Sequence, residues 1–286
     1  VYHVSTNVPE VYKQAVKDGI LYWNKAFGSE VIKVEDLPEG AQVLDPGFNA
    51  VQWVDSDLMG FAYADLANDP ITGRTLQAQV YMSDVFAKIP SYAIDSLNSN
   101  KKAQLGSEKS CFHNLSERAL NTVLSLQAAG VPPEAIERAK QDFVRSVVAH
   151  EIGHTLGLRH NFVAKTQGAL PPQDFDQLVT TYFTDGTAGG EEHTVTSSVM
   201  DYLAPMSDIL AGAQIRTGTT AFKYDLEAIR WGYTDVDAAS QDFGLYCTDE
   251  VAARGEFVDC GPFMPQGDLF AASWRDLQKL QSTLID

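Results

Sequence analysis

The chain has few cysteines and lacks a long apolar run. Cys111, Cys247 and Cys260 are its three cysteines, and no pair has the C-x-x-C spacing of a structural zinc cluster. Cys247 and Cys260 are close enough in sequence to form a local disulfide, which would leave Cys111 unpaired. No stretch approaches the roughly eighteen consecutive apolar residues that suggest a membrane span. The sequence therefore predicts no span.

Basic residues are also scarce, with 21 Lys and Arg against 38 Asp and Glu, and the net charge is −17. This charge disfavours nucleic acid and anionic membranes as partners. Acidic residues can hold calcium, which therefore stays possible. Calcium is not indicated, however, because the sequence has neither a D-x-[DN]-x-[DN]-G loop nor a glycine-rich calcium repeat.

No signal peptide precedes the strand-like residues that begin at Val1. We therefore expect a mature or trimmed fragment, and whether a pro-segment or additional domains have been removed is left open. A chain of 286 residues can hold one large domain, or one domain with an appendage.

Three of the six histidines lie within the eleven residues HEIGHTLGLRH. His150 and His154 are four apart, so a helix places both imidazoles on one face. Glu151 reaches the same edge, where its carboxylate can take a proton from a metal-bound water. A catalytic zinc site usually has three protein ligands and a water. The candidate for the third ligand is His160.

His160 can join the other two histidines only if the helix ends before it. In a continuing helix it would lie about 9 Å further along the axis than His154. Gly157 stands where a helix end requires a positive φ, which glycine adopts without a steric penalty. An ordinary amphipathic helix with satisfied histidines is the alternative, but it does not account for Gly157 and His160 at these offsets.

The full pattern H-E-x-x-H-x-x-G-x-x-H resembles the long zinc signature of the metzincin metallopeptidases. Downstream, the segment SSVMDY resembles their Met turn, which implies that Met200 lies beneath the imidazoles as a soft apolar floor. The resemblance also implies that Tyr202 approaches the zinc and donates a hydrogen bond to the oxyanion of the intermediate. Alternatively, Tyr202 packs beside the turn with its hydroxyl in water.

Asn161, directly after the third histidine, departs from the best-known metzincin branches. The longer string HEIGHTLGLRHNF instead resembles a group of large bacterial zinc-dependent metalloproteases. The substrate and the role of Asn161 are therefore left open.

The resemblance and the periodicity together predict an α/β (α+β) fold. We expect a metzincin-like catalytic domain with a twisted mixed sheet, an antiparallel edge strand, two long helices and an irregular C-terminal subdomain. The catalytic domain is expected at 1–233 and an extension, packed on it or leading out of it, at 234–286. The predicted helices are a first helix from Pro9 to Gly28, a helical insertion at about 91–131, the active-site helix at about 134–156, a closing helix at 224–233 and a last one at 274–284. The predicted strands are 1–5, 31–34, 50–54, 60–66 and 75–82, and the chain from His160 to the Met turn is expected to be irregular.

The strand at 60–66 is the one expected at the edge above the cleft. The resemblance implies that an extended peptide pairs with it, through Phe61, Ala62, Tyr63 and Ala64. An ordinary hairpin with no role in substrate binding is the alternative. Residues 203–206 are expected to wall the pocket for the substrate side chain after the cut site.

The function that the resemblance implies is a zinc-dependent endopeptidase acting on protein or peptide substrates. One catalytic Zn²⁺ is expected on His150, His154 and His160, with Glu151 as general base. A thermolysin-like peptidase is a poorer match, since it lacks the Gly157-x-x-His160 spacing. The alternative from another class is a weakly active or inactive metzincin-like module that binds protein or glycan. The resemblance also implies a secreted, periplasmic or cell-surface location, and the oligomeric state is left open.

Overall fold

A five-stranded sheet packed against two long helices forms the N-terminal half of the structure. The structure is a computed structural model and describes residues 1–55, 62–84, 130–237 and 242–262. Several predictions lie outside these residues, namely those for Phe61, for Cys111, for most of the insertion at 91–131 and for the helix at 274–284.

The sheet has the strand order β2-β1-β3-β5-β4, with β4 at one edge. β1 is parallel to β2 and β3, β3 is parallel to β5, and β4 is antiparallel to β5. The prediction of a mixed sheet with an antiparallel edge strand is therefore confirmed. The strands are β1 (Tyr2–Val4), β2 (Val34–Asp36), β3 (Asn49–Val54), β4 (Ala62–Asn68) and β5 (Thr75–Ser83).

The strand predicted at 31–34 was placed too early, since β2 begins only at Val34. The reason is a side chain on the preceding helix. Asn24 accepts a hydrogen bond from the backbone N–H of Ile32 at 2.7 Å and donates one to its carbonyl at 2.8 Å. Both backbone groups of Ile32 are thereby occupied and cannot join the ladder.

The two long helices are α1 (Glu10–Phe27) and α2 (Pro133–Thr155). α1 ends where Gly28 adopts a φ of 66°. The indole of Trp23 is fully buried and donates a hydrogen bond to the carbonyl of Ala149 at 2.9 Å, which joins the two helices. Val11 is exposed, and the buried face of α1 begins one residue later at Tyr12.

The C-terminal half is more helical than the sequence indicated. The helices are α3 (Phe175–Asp185), α4 (Pro205–Thr217), α5 (Lys223–Tyr233) and α6 (Asp249–Arg254). α5 agrees with the predicted closing helix. α3 contradicts the prediction of an irregular chain before the Met turn. Leu178 and Tyr182 are buried, and Phe175, Val179 and Phe183 pack partly buried against the core at helical spacing. The prolines before this stretch and the glycines after it outweighed that spacing in the prediction.

One hydrophobic core runs from the sheet through α1 and α2 to α4 and α5. A separate small cluster joins Val163 to Cys247 and Cys260. Within the described ranges, no helix combines the length and the apolar character needed to cross a bilayer. The C-terminal end of α2 lies inside the main core, so side chains at that end are held by a rigid element.

Candidate metal centre

The last turns of α2 carry two histidines whose rings lie together. The Nε2 atoms of His150 and His154 are 3.1 Å apart, and the ring of His150 is buried. The helix then ends, and the N–H of Leu158 donates to the carbonyl of Gly153 at 3.1 Å. Gly157 has a φ of 90°, the left-handed conformation that the sequence argument required.

The turn brings His160 back to the other two rings. Its ring centroid lies 5.2 Å from that of His150 and 4.7 Å from that of His154. One nitrogen from each of the three rings lies within 4.8 Å of the others. His160 Nε2 is buried and has no hydrogen-bond partner among the described residues. The three imidazoles could therefore hold a metal ion.

The hydrogen bonds at the opposite ring nitrogens fix which nitrogen faces the centre. His150 Nδ1 lies 2.7 Å from the carbonyl oxygen of Val199, and His154 Nδ1 lies 2.9 Å from that of Leu158. His160 Nδ1 lies 2.9 Å from a carboxylate oxygen of Asp249. Each of these oxygens only accepts, so Nδ1 carries the proton and Nε2 keeps its lone pair. This tautomer fits metal ligation.

The environment also keeps the three rings neutral. Burial, and the nearby rings of the other two histidines, hold the pKa of His150 well below its usual range. Burial lowers the pKa of His154 to about 4 and also lowers that of His160. Neutral imidazole is the form that binds a metal.

Glu151 lies beside the first histidine and is buried. Burial raises the pKa of its carboxyl group to about 8. A carboxyl group with a raised pKa inside a cleft is typical of a general acid or base.

Met200 lies fully buried directly against α2. A Cβ added at Gly153 would overlap the Met200 sulfur and lie 2.6 Å from Cζ2 of Trp23. Gly153 therefore allows the sulfur to reach the helix between the two histidines. The sequence argument singled out Met200 but missed Gly153, because a glycine inside a helix does not by itself indicate what packs against it.

Residues 133–245 match a family model described as Met-zincin. Over this segment the chain is similar to the Met-zincin family. The match begins at the start of α2 and includes the three histidines, Glu151 and Met200. No curated protein and no solved structure matches the chain. The Met-zincin match together with the three converging histidines indicates a zinc metallopeptidase-like domain.

Tyr202 of the Met-zincin segment lies beside the histidines. Its ring centroid is 4.4 Å from that of His160 and 5.3 Å from that of His150. Phe162 stacks on His160, with centroids 5.0 Å apart and an angle of 21° between the rings, and its centroid lies 5.3 Å from that of Tyr202. Two neighbouring aromatic rings thus pack against the third histidine.

The Met turn is held by a carboxylate that the sequence argument did not identify. Asp225, on α5, accepts hydrogen bonds from the hydroxyl of Ser198, from the N–H of Val199 at 2.9 Å and from the hydroxyl of Tyr22 at 2.6 Å. Burial raises the pKa of Asp225 to about 6. A lone Asp on a helix gave no signal of this role.

Asn161 links the third histidine to two other segments. Its N–H donates to the carbonyl of Met200 at 2.8 Å, and its side-chain oxygen accepts from the N–H of Cys247 at 3.0 Å. Asn161 is fully buried. Its role is therefore to hold the loop of His160 against the Met turn and against the chain around Cys247.

Part of the predicted extension at 234–286 also reaches the centre. Cys247 and Cys260 form the local disulfide that the sequence allowed, with Cα atoms 5.9 Å apart. α6 lies between them and contributes Asp249, whose two oxygens are 2.9 and 3.0 Å from His160 Nδ1. Asp249 could not be predicted from the sequence, since nothing local connects it to a histidine 89 residues earlier.

The predicted substrate strand is the edge strand β4, which lies beside α2. Tyr63 is partly exposed and stacks on Tyr81 at 4.5 Å, whereas Ala62 and Ala64 pack against the core. Of the predicted pocket wall, Leu203 and Pro205 are buried, and Ala204 and Met206 are partly exposed.

Proposed function

We propose that this protein is a zinc-dependent endopeptidase that hydrolyses peptide bonds in protein substrates. The observation that carries the proposal is the convergence of three neutral imidazoles, with ligand nitrogens within 4.8 Å of one another. Glu151, the residue after His150 on the same helix, is buried. This combination of ligands and base is typical of metal-assisted hydrolysis.

His150, His154 and His160 would hold the ion. Zinc, when bound there, supplies a Lewis acid that acidifies a water molecule and polarises a peptide carbonyl. Glu151 accepts a proton from the attacking water and delivers it to the leaving amine. A pKa raised by burial suits this shuttle, because a base works best when its pKa lies near the working pH.

Two further features support the orientation of the substrate. Tyr202 lies against His150 and His160, and its hydroxyl would donate a hydrogen bond to the carbonyl oxygen as negative charge develops there. The edge strand β4 runs beside α2 and would pair with an extended peptide by main-chain hydrogen bonds.

The general base is tested with the variant Glu151→Gln, which keeps the size of the side chain and removes its charge. We expect hydrolysis of casein to fall by a factor of about 10² or more, with one zinc per chain retained. Glu134→Gln is the matched control, since Glu134 is exposed in the first turn of the same helix. Undiminished hydrolysis by Glu151→Gln would disprove the role of the base. A wild-type protein that binds zinc but cleaves no peptide would instead indicate a binding module.

We also propose that the protein acts outside the cytosol. The Cys247–Cys260 disulfide supports this, because such bonds persist in secreted and periplasmic compartments. Mass spectrometry of protein purified from its natural source, with free thiols blocked at lysis, would test this proposal. A fully reduced pair would contradict it.

A further inference from the structure

The third histidine differs from the other two in what holds its ring. His150 and His154 lie on α2, and each donates from Nδ1 to a backbone carbonyl. His160 lies beyond the helix, and its Nδ1 donates to the side chain of Asp249. Besides the packing of Phe162 and Tyr202, the orientation of this ring therefore depends on a hydrogen bond to a side-chain carboxylate.

Asp249 lies outside the residues that match the Met-zincin family, which end at 245. It is nevertheless fixed close to the centre. Two residues before it, Cys247 donates from its N–H to the Asn161 side chain and accepts from the N–H of Phe162 at 2.7 Å. The disulfide to Cys260 closes the chain segment that contains α6.

The contact has a direct consequence for metal binding. A carboxylate that accepts from Nδ1–H fixes the tautomer and the rotation of the ring and makes the other nitrogen more basic. That other nitrogen, His160 Nε2, is buried and has no partner among the described residues. The two ring nitrogens thus have separate tasks, one facing Asp249 and one facing the centre.

We propose that Asp249 is a positioning residue of the metal centre and that the segment 247–260 belongs to the catalytic unit. This inference rests on the proposed function, since it assumes that the three histidines bind a metal. It extends the catalytic unit beyond residue 233, where the sequence-based prediction ended the catalytic domain. The adjacent Glu250 binds Arg159, which also lies 3.6 Å from Asp249, and its carboxylate therefore faces an arginine where that of Asp249 faces a ligand ring.

The test compares zinc affinities of four full-length proteins by competition with a chromophoric chelator. These are the wild type, Asp249→Ala, Asp249→Asn and the control Glu250→Gln. We expect Asp249→Ala to bind zinc about 10- to 100-fold more weakly. Asp249→Asn should lie between it and the wild type, because an amide oxygen still accepts from Nδ1–H. Glu250, on the same helix, should tolerate substitution within about twofold.

Two further readouts separate positioning from a general structural role. The metal-free variants should melt at the temperature of the metal-free wild type. The visible spectrum of the cobalt-substituted protein should change in Asp249→Ala and stay unchanged in Glu250→Gln, because only Asp249 contacts a ligand ring.

Each outcome decides the matter. Wild-type zinc affinity in Asp249→Ala would overturn the proposal, as would an equal loss in Glu250→Gln, which would indicate mere loosening of α6. If metal-free Asp249→Ala melts at a lower temperature than the metal-free wild type, the test rests on Asp249→Asn. A stable Asp249→Asn with wild-type zinc affinity and an unchanged cobalt spectrum would then overturn the proposal. A wild-type protein that takes up no zinc would overturn the proposed function itself, and this inference with it.

Discussion

Single residues in this centre are constrained by what packs against them as well as by their chemistry. Gly153 stands between the two helical histidines in sequence, and Met200 and Trp23 fill the space that a side chain there would need. Asp249 contributes no ligand atom to the centre, yet it holds one of the ligand rings. The residues that support the centre are thus constrained in their identity, as the three histidines are.

The substitution Gly153→Ala should disturb both packing and the centre. The added Cβ would overlap the Met200 sulfur and press on Trp23, and overpacking of this kind costs about 1–3 kcal/mol. We expect the free energy of unfolding in urea to fall by that amount and zinc affinity to weaken.

The matched control for this substitution is Gly232→Ala. Gly232 is also helical, but a Cβ there would meet nothing within 4 Å. We expect it to be neutral or stabilising by up to about 1 kcal/mol. Equal effects of the two substitutions would contradict the packing argument.

At the scale of elements, two structural features bring the three histidines together. α2 presents two histidines on one face, and its end at Gly157 lets the chain return with the third. The segment 242–262 then closes over the loop of His160 through Asn161, Asp249 and the disulfide. The second feature connects distant parts of the chain, and reduction of its disulfide can open it.

The substitution Cys247→Ser should destabilise the protein and weaken its hold on zinc. The disulfide links residues 13 apart, and closing a loop of this size stabilises a protein by about 3 kcal/mol. We expect the free energy of unfolding in urea to fall by up to that amount, and zinc affinity to fall because Asp249 is held less firmly.

A reducing agent supplies the control for Cys247→Ser. It should reproduce both effects in the wild type and add nothing to the variant. If the stability falls but zinc affinity is unchanged, the disulfide does not support the metal centre.

At the scale of the whole molecule, Asp225 connects three separate parts of the chain. It accepts hydrogen bonds from Tyr22 on α1 and from Ser198 and Val199 in the Met turn, and it lies on α5. Its carboxyl group is fully buried, and burial raises its pKa to about 6 from an ordinary value of 3.8. Folding and the pH of the medium are therefore coupled through this residue.

The sign of this coupling follows from the raised pKa. The folded protein binds the proton of Asp225 more tightly than the unfolded chain does, so the contribution of this residue to stability is greatest below about pH 4. It falls as the pH rises to about 6 and is constant above that. The total change is up to about 3 kcal/mol.

Comparison with Asp225→Asn isolates this dependence. The variant has no titrating group at the position, whereas other buried carboxyls such as Asp208 titrate in both proteins and cancel in the difference. Urea unfolding between pH 4 and pH 8 should show the wild type losing stability relative to the variant as the pH rises to about 6. A difference that does not vary with pH would contradict the raised pKa.

Much of the fold was predictable because its signals are local. The strand periodicity, the breaks at Gly28 and Gly157 and the apolar face of α2 lie within single stretches of sequence. The start of β2 was predicted too early and α3 was not predicted, and both errors also have causes near those residues. Asn24 competes for the backbone of Ile32, and the prolines before α3 and the glycines after it outweighed the helical spacing of its apolar residues.

By itself, the sequence determined the three histidines, the glutamate next to the first of them and the turn that lets the third return, because residue spacing along a helix fixes which side chains share a face. Only the tertiary structure decided that Asp249 supports His160 and that Asp225 holds the Met turn. These contacts join residues 89 and 26 positions apart. Which distant side chain fills a buried hydrogen-bonding position depends on how whole elements pack, and no local pattern encodes it.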